Sequence, residues 1–329
     1  MTPPSHQVLE QAAHWYTLLE SGSVTEADRQ HWQDWLNASE QHQAAWGYAQ
    51  RVGQQFSALQ GASARLAADT HHAVHTRHQR RRQLLGGMLI LAGSGAIGSA
   101  AWQYGSVRNT LLAWGADHSN ATGEIRRIIL ADGSELWLGS ASAIDLDFDP
   151  VQRRIELLHG EVLIQTAQDP APGRDSADRP FIVQTTHGVL QALGTRFSVQ
   201  LGDARSLLAV YEGAVRITPC SDTASVIVPA GEQAFFDTQG IAPPQPADPN
   251  REAWARNIFI AERTPLHELI AALRRYHAGH IGLDPDIADL PVLGSYPLSD
   301  TEQALRMLER VLPIRVRQPL PWWVSIGPR

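Results

Sequence analysis

Lysine is absent from the 329 residues, so all 27 basic side chains are arginine, which by itself assigns no function. Cysteine occurs once, at Cys220, which excludes an intrachain disulfide and a cysteine-based zinc site. Hydrolase signatures are missing too. There is no Gly-x-Ser-x-Gly elbow, no His-Glu-x-x-His pair, and no cysteine nucleophile paired with a base. A substrate-turnover enzyme is therefore not expected, and no cofactor is implied. One metal motif is only partial. Asp145, Asp147, Asp149 and Glu156 fall at positions 1, 3, 5 and 12 of a calcium loop. Pro150 stands where the loop needs glycine, and Arg153 and Arg154 would repel the ion.

What is present is one long uncharged run, 83–107, between Arg80-Arg81-Arg82 and Arg108. About 20 predominantly apolar residues span a bilayer as a helix. Trp102 and Tyr104 lie at one end, where amphipathic rings favour the headgroup zone. The arginine asymmetry puts the N-terminal side in the cytoplasm and 108–329 outside. A cleaved signal fits poorly because the run starts past residue 80. Arg81-Arg82-Gln83-Leu84-Leu85 also resembles a twin-arginine export signal, against the simpler account of a basic stop at the membrane face.

Net charge is −7, unevenly spread: −4 over 1–60, +4 over 61–104 and −7 beyond. An acidic N-terminal segment argues against direct nucleic-acid binding, which relies on basic side chains neutralising phosphates. It suits a basic protein partner. Residues 1–60 read as three short helices. Ala12, Trp15, Tyr16 and Leu19 share one face; Trp32, Trp35 and Leu36 share another; Ala45, Tyr48, Val52 and Phe56 a third. Thr25 with Asp28 makes a capping box, and Ser39 caps the third helix. Trp15, Trp32, Trp35 and Trp46 exceed what so small a core needs, and tryptophan is enriched at binding hot spots. Core packing is the competing account for each. Residues 61–82, with His71, His72, His75 and His78, read as a basic juxtamembrane linker rather than a metal site.

Beyond the apolar run the period changes to two, as in Ile144, Leu146 and Phe148 alternating with aspartates. Glycine turns recur at Asp132-Gly133, Gly160, Gly188, Gly213 and Gly231, indicating an all-β domain over 108–238. Asp169–Arg179 reads as a loop. Residues 239–251 form a proline-rich linker, and 252–329 a small α+β domain with a second capping box at Ser299 and Glu302. Trp322-Trp323 ends that domain. Core packing accounts for one of the two rings, since strand neighbours point to opposite faces. The whole reads as a multi-domain membrane protein: an all-α cytoplasmic domain, one transmembrane helix, an all-β domain and an α+β domain.

The chain resembles the FecR-type (ferric-citrate regulator) transmembrane sigma-factor regulators. The resemblance rests on Thr122-Gly123-Glu124-Ile125-Arg126, Leu130-Ala131-Asp132-Gly133-Ser134, Leu136-Trp137-Leu138-Gly139 and Leu158-His159-Gly160-Glu161-Val162. It continues through Pro180-Phe181-Ile182-Val183-Gln184-Thr185, Leu193-Gly194-Thr195-Arg196-Phe197, Val210-Tyr211-Glu212-Gly213-Ala214-Val215 and Ala230-Gly231-Glu232-Gln233. It implies an anti-sigma factor of the bacterial inner membrane, with a cytoplasmic N-terminus and a periplasmic C-terminus. Residues 1–60 would bind an extracytoplasmic-function sigma factor through Trp15, Trp32, Trp35 and Leu36. The C-terminal domain, of the secretin/TonB short N-terminal type, would read the signalling domain of a TonB-dependent outer-membrane receptor for an iron chelate. Membrane proteases would complete the relay. Some relatives cleave themselves at the bond corresponding to Gly194–Thr195; a glycine bulge inside a strand is the competing account. The alternative class is a membrane-anchored DNA-binding regulator with a periplasmic sensor.

Overall fold

The computed structural model describes residues 4–20, 24–68, 115–170, 179–221 and 224–329. The expected span at 83–107 lies outside them. Among the described residues, no helix is long and apolar enough to cross a membrane. Helices α1 (His6–Glu20), α2 (Glu26–Asn37) and α3 (Glu40–Ala68) form the N-terminal bundle. Ala12 and Ala13 of α1 and Ala45 and Ala49 of α3 are fully buried, small residues that let the helices approach closely. The Thr25 hydroxyl accepts from the Asp28 N–H while the Asp28 carboxylate accepts from the Thr25 N–H, as the sequence predicts. Ser39 Oγ accepts from His42 N–H. Helix α3 continues to Ala68, so the linker expected from residue 61 begins as helix.

The all-β domain contains β1 (His118–Ser119), β2 (Arg126–Ile129), β3 (Glu135–Leu138), β4 (Ala143–Phe148), β5 (Arg153–Gln165), β6 (Phe181–Gln184) and β7 (Gly188–Ala192). It continues with β8 (Arg196–Leu201), β9 (Ser206–Glu212), β10 (Ala214–Pro219), β11 (Val226–Pro229), β12 (Glu232–Phe236) and β13 (Gln245–Pro246). Strand β5 belongs to two sheets. Its first half pairs with β4 and, in parallel, with β6; its second half pairs with β3 and β8. The chain bends between the halves at Gly160, φ +90°, where a Cβ would lie 2.0 Å from Ser142 Oγ. Only glycine fits there. One sheet runs β11-β10-β7-β6-β5-β4-β1 and the other β2-β3-β5-β8-β9-β12-β13. Between them sit Leu136, Leu138, Ile155, Val162, Phe181, Leu190, Phe197, Val210, Val215 and Phe236. Each such side chain contributes about 1.5–3 kcal/mol by leaving water.

Charge is also buried. Asp132 and Arg153 pair at 2.9 Å, with side chains only 1% and 7% exposed. Arg153 also donates to the carbonyls of Ala167 and Arg179. Arg179 in turn grips Asp169 with two bonds of 2.8 and 2.9 Å and reaches the Asp149 carbonyl. These two forks tie the β2–β3 turn, the start of β5 and both ends of the 169–179 loop together.

The proline-rich segment 239–251, expected as a linker, lies along the β domain. β13 pairs with β12, Ile241 bridges Phe236, and Arg251 donates to Gln200. Just beyond, Glu252 pairs with Arg196 at 2.8 Å and Trp254 is buried. The last domain follows as β14 (Ile258–Pro265), α4 (Leu266–Tyr276), β15 (His280–Leu283), β16 (Pro291–Pro297), α5 (Thr301–Val311), β17 (Ile314–Leu320) and β18 (Trp323–Pro328). β14 pairs with β16, and β18 lies between β15 and β17. The helix cap at 299–300 is Asp300, whose carboxylate accepts from Gln303 N–H; Ser299 bonds Asn257 instead. This domain and the all-β domain share a core through Leu163, Trp254 and α4.

The helical bundle rests on the last domain. Trp322 and Trp323 are both buried, against the expectation of one: Trp322 meets Tyr16 edge-on at 5.2 Å, and Trp323 lies tilted against His280 at 4.1 Å. Tyr48 bonds His280 at 3.0 Å, and Ser325 donates to Glu10.

Breaking the buried ion pair tests the role of the two forks. Arg153→Ala strands the Asp132 carboxylate, and a loss of about 3–5 kcal/mol is expected in denaturant unfolding.

Candidate functional site

Two places carry the residues singled out by sequence. The first is the bundle. Trp15, Trp32, Trp35 and Leu36 are all half-buried. Trp35 donates to Gln11 at 2.9 Å and stacks on His42 at 4.6 Å. Trp15 and Trp35 together line a groove of about 850 Å3 whose far wall is Arg317, Pro319 and Trp323 of the last domain. Trp32 turns the other way and packs on Trp46 at 5.2 Å, its indole N–H buried without a hydrogen-bond partner among the described residues. Leu36 does not line the groove. The structure thus unites two of the four residues. Sequence periodicity set Tyr48 on an apolar face but gave no sign of its contact with His280, which spans 232 positions. Burial first, then Arg274, His6 and His277, push the His280 imidazole down to about 3, so it is neutral beside Tyr48 at pH 7.

The second place is a corner of the β domain. Chain leaving β7 in one sheet crosses to β8 in the other through Leu193, Gly194 and Thr195. Chain leaving β9 crosses back to β10 at Gly213. The two crossings pack on each other. A Cβ on Gly213 would lie 2.2 Å from the Gly194 carbonyl oxygen and 2.9 Å from Thr195 Cγ2. Both glycines have positive φ, +76° and +75°. Gly194 is exposed, whereas Thr195 is 4% exposed and its hydroxyl has no hydrogen-bond partner among the described residues. Thr166, just after β5, holds the neighbouring backbone. Its hydroxyl accepts from Thr195 N–H at 2.8 Å, and its N–H donates to the Thr195 carbonyl at 3.0 Å. Thr166 carried no motif signal, since 29 residues separate it from Thr195. Chemically, the corner sets a hydroxyl without a hydrogen-bond partner among the described residues next in sequence to the carbonyl of an exposed glycine. Among the described residues no group of histidine, cysteine and acidic side chains could hold a metal ion.

Residues 116–216 match the family model described as FecR protein, and residues 10–52 match the Domain of unknown function DUF4880. The Gly194–Thr195 corner lies inside the stretch that matches the FecR model, and Trp15, Trp32, Trp35 and Leu36 lie inside the other match. No curated protein matches the chain. Two crystal structures of a “putative anti-sigma factor” from Parabacteroides distasonis ATCC 8503 resemble it. They give TM-scores of 0.51 and 0.49 at 23% and 22% identity, each covering 64% of this chain and 98% of that one. At 23% identity the first match speaks for a shared fold.

The corner makes a sharp demand on Gly213. Gly213→Ala forces an L side chain into left-handed backbone, costing roughly 1–2 kcal/mol, and drives a methyl into the Gly194 carbonyl. A lower melting temperature and faster limited proteolysis at 193–195 are expected.

Proposed function

We propose that this chain is a single-pass inner-membrane anti-sigma regulator. Residues 1–60 hold an extracytoplasmic-function sigma factor in the cytoplasm. The 108–329 region, outside the membrane, reads the signalling domain of a TonB-dependent outer-membrane receptor, for iron-chelate uptake. Regulated proteolysis by membrane proteases carries the signal. The observation behind this reading is the pairing, in one chain, of a tryptophan-rich helical segment matching DUF4880 with a FecR domain. The described fold neighbour from Parabacteroides distasonis supports the same class. In this reading the bundle and the last domain lie on opposite sides of the bilayer. The Trp15–Trp35 face is then open to the sigma factor.

Self-cleavage at Gly194–Thr195 belongs to the same reading. The Thr195 hydroxyl oxygen adds to the Gly194 carbonyl carbon and the C–N bond breaks. The hydroxyl proton passes to the nitrogen, leaving an ester and a free amine. Water then hydrolyses the ester to the Gly194 carboxylate and regenerates the Thr195 hydroxyl. The buried, unpartnered hydroxyl supports this step. The β5–β8 and β7–β10 ladders would hold the two pieces together.

A second reading follows from the contact of Tyr16, Tyr48 and Glu10 with Trp322, His280 and Ser325. In it, both ends share one compartment and the last domain caps the bundle. Contact and crossing exclude each other within one chain.

Three measurements test these statements. Reporter fusions after residue 60 and after residue 329 should report opposite compartments; the same compartment sinks the membrane reading. In pull-downs with the sigma factor, Trp15→Ala and Trp35→Ala should each weaken capture by roughly 30-fold. Unchanged capture by folded variants removes the patch. For cleavage, intact mass of the purified full chain should show two pieces meeting at Gly194–Thr195, absent in Thr195→Ala and retained in Thr195→Ser.

A further inference from the structure

Resting on the proposed cleavage, we propose that Thr166 is the positioning residue for the Gly194–Thr195 bond. The nitrogen that must leave is the Thr195 amide nitrogen. Its N–H points at Thr166 Oγ1, 2.8 Å away, and this is the contact the structure gives that N–H. The Thr166 hydroxyl proton is directed to the Thr195 carbonyl at 3.2 Å, leaving an oxygen lone pair for the N–H. Thr166 N–H fixes the same carbonyl at 3.0 Å. Thr166 therefore clamps both sides of the Thr195 residue. The hydroxyl of Thr195 has no hydrogen-bond partner among the described residues, so no hydrogen bond there has to break before it reacts.

The chemistry favours an oxygen acceptor at this place. As the hydroxyl adds and the C–N bond breaks, the nitrogen loses amide resonance, takes the hydroxyl proton and becomes a basic amine. At neutral pH it gains a second proton from water. Positive charge thus develops on an atom already facing a neutral oxygen 2.8 Å away. An acceptor in place before charge appears stabilises the later state more than the earlier one. Thr166 touches the reacting nitrogen but neither gains nor loses a bond, so it steers and stabilises rather than reacts. The glycine at 213 completes the arrangement by leaving room for the Gly194 carbonyl, which a methyl would displace.

The test compares cleavage rates of the purified full chain by intact mass, with and without hydroxylamine, which intercepts the ester. Thr166→Val, of matching shape but without the oxygen, should slow cleavage roughly 10- to 100-fold, the worth of a hydrogen bond to a charged group. Thr166→Ser should restore it. Hydroxylamine should speed the wild-type chain and fail to rescue Thr166→Val, because the ester is not formed. A merely structural role would not separate Val from Ser in that way at matched melting temperature. Should Thr166→Val not fold, Thr166→Cys, with a weak sulfur acceptor, replaces it in the comparison. Cleavage of the wild type with equal rates in the folded Thr166 variant overturns the role of Thr166 alone. A wild-type chain that stays whole even in hydroxylamine overturns the cleavage reading and this inference with it.

Discussion

The β domain depends on the bend in β5 at Gly160. A strand of thirteen residues normally serves one sheet. Here the bend lets one strand serve two, so that β4 and β6 flank its start and β3 and β8 flank its end. The space taken by the Ser142 side chain at the bend leaves none for a Cβ on residue 160. The two sheets therefore close over one core, and the chain must cross between them at corners. The buried Asp132–Arg153 pair and the Arg179–Asp169 fork pin the opposite end of the same strand. Their worth lies in geometry more than in net energy, since desolvation offsets much of the attraction in a buried pair.

The Gly194–Thr195 corner is a product of that closure. Strands β7 and β8 lie in different sheets, so the link between them turns abruptly, and the left-handed backbone of Gly194 makes the turn. The return crossing at Gly213 presses against it. Thr166 reaches the corner only because β8 pairs alongside the end of β5. Sequence neighbours supply the bond, and sheet pairing supplies everything around it.

The two domains beyond the bundle share a core, with α4 against Trp254 and Leu163, Ser140 donating to the Arg275 carbonyl, and Arg275 3.8 Å from buried Glu161. These contacts make the two domains one packed unit, in which a side chain can move only if its neighbours rearrange. The proline-rich segment reinforces the coupling. Proline lacks a donor, yet Pro246 takes an edge position on β13, where no ladder bond from its nitrogen is required.

Local chemistry made much of this legible without coordinates. The Thr25–Asp28 capping box, the helix periods of the bundle, the glycine turns of the β domain and the order of the last domain follow from short-range rules. The choice of Gly194–Thr195 came from a resemblance in the order of strand-turn signals. Tertiary structure alone decided the rest. It sent Trp32 inward to Trp46 and Trp35 to the groove, although both read as one helix face. It buried Trp322 as well as Trp323 by laying the bundle over them, and it docked the segment whose prolines read as a linker. It also placed Thr166 against Thr195. Each depends on which distant surfaces meet, and a sequence period records which side of an element is apolar without recording what will cover it.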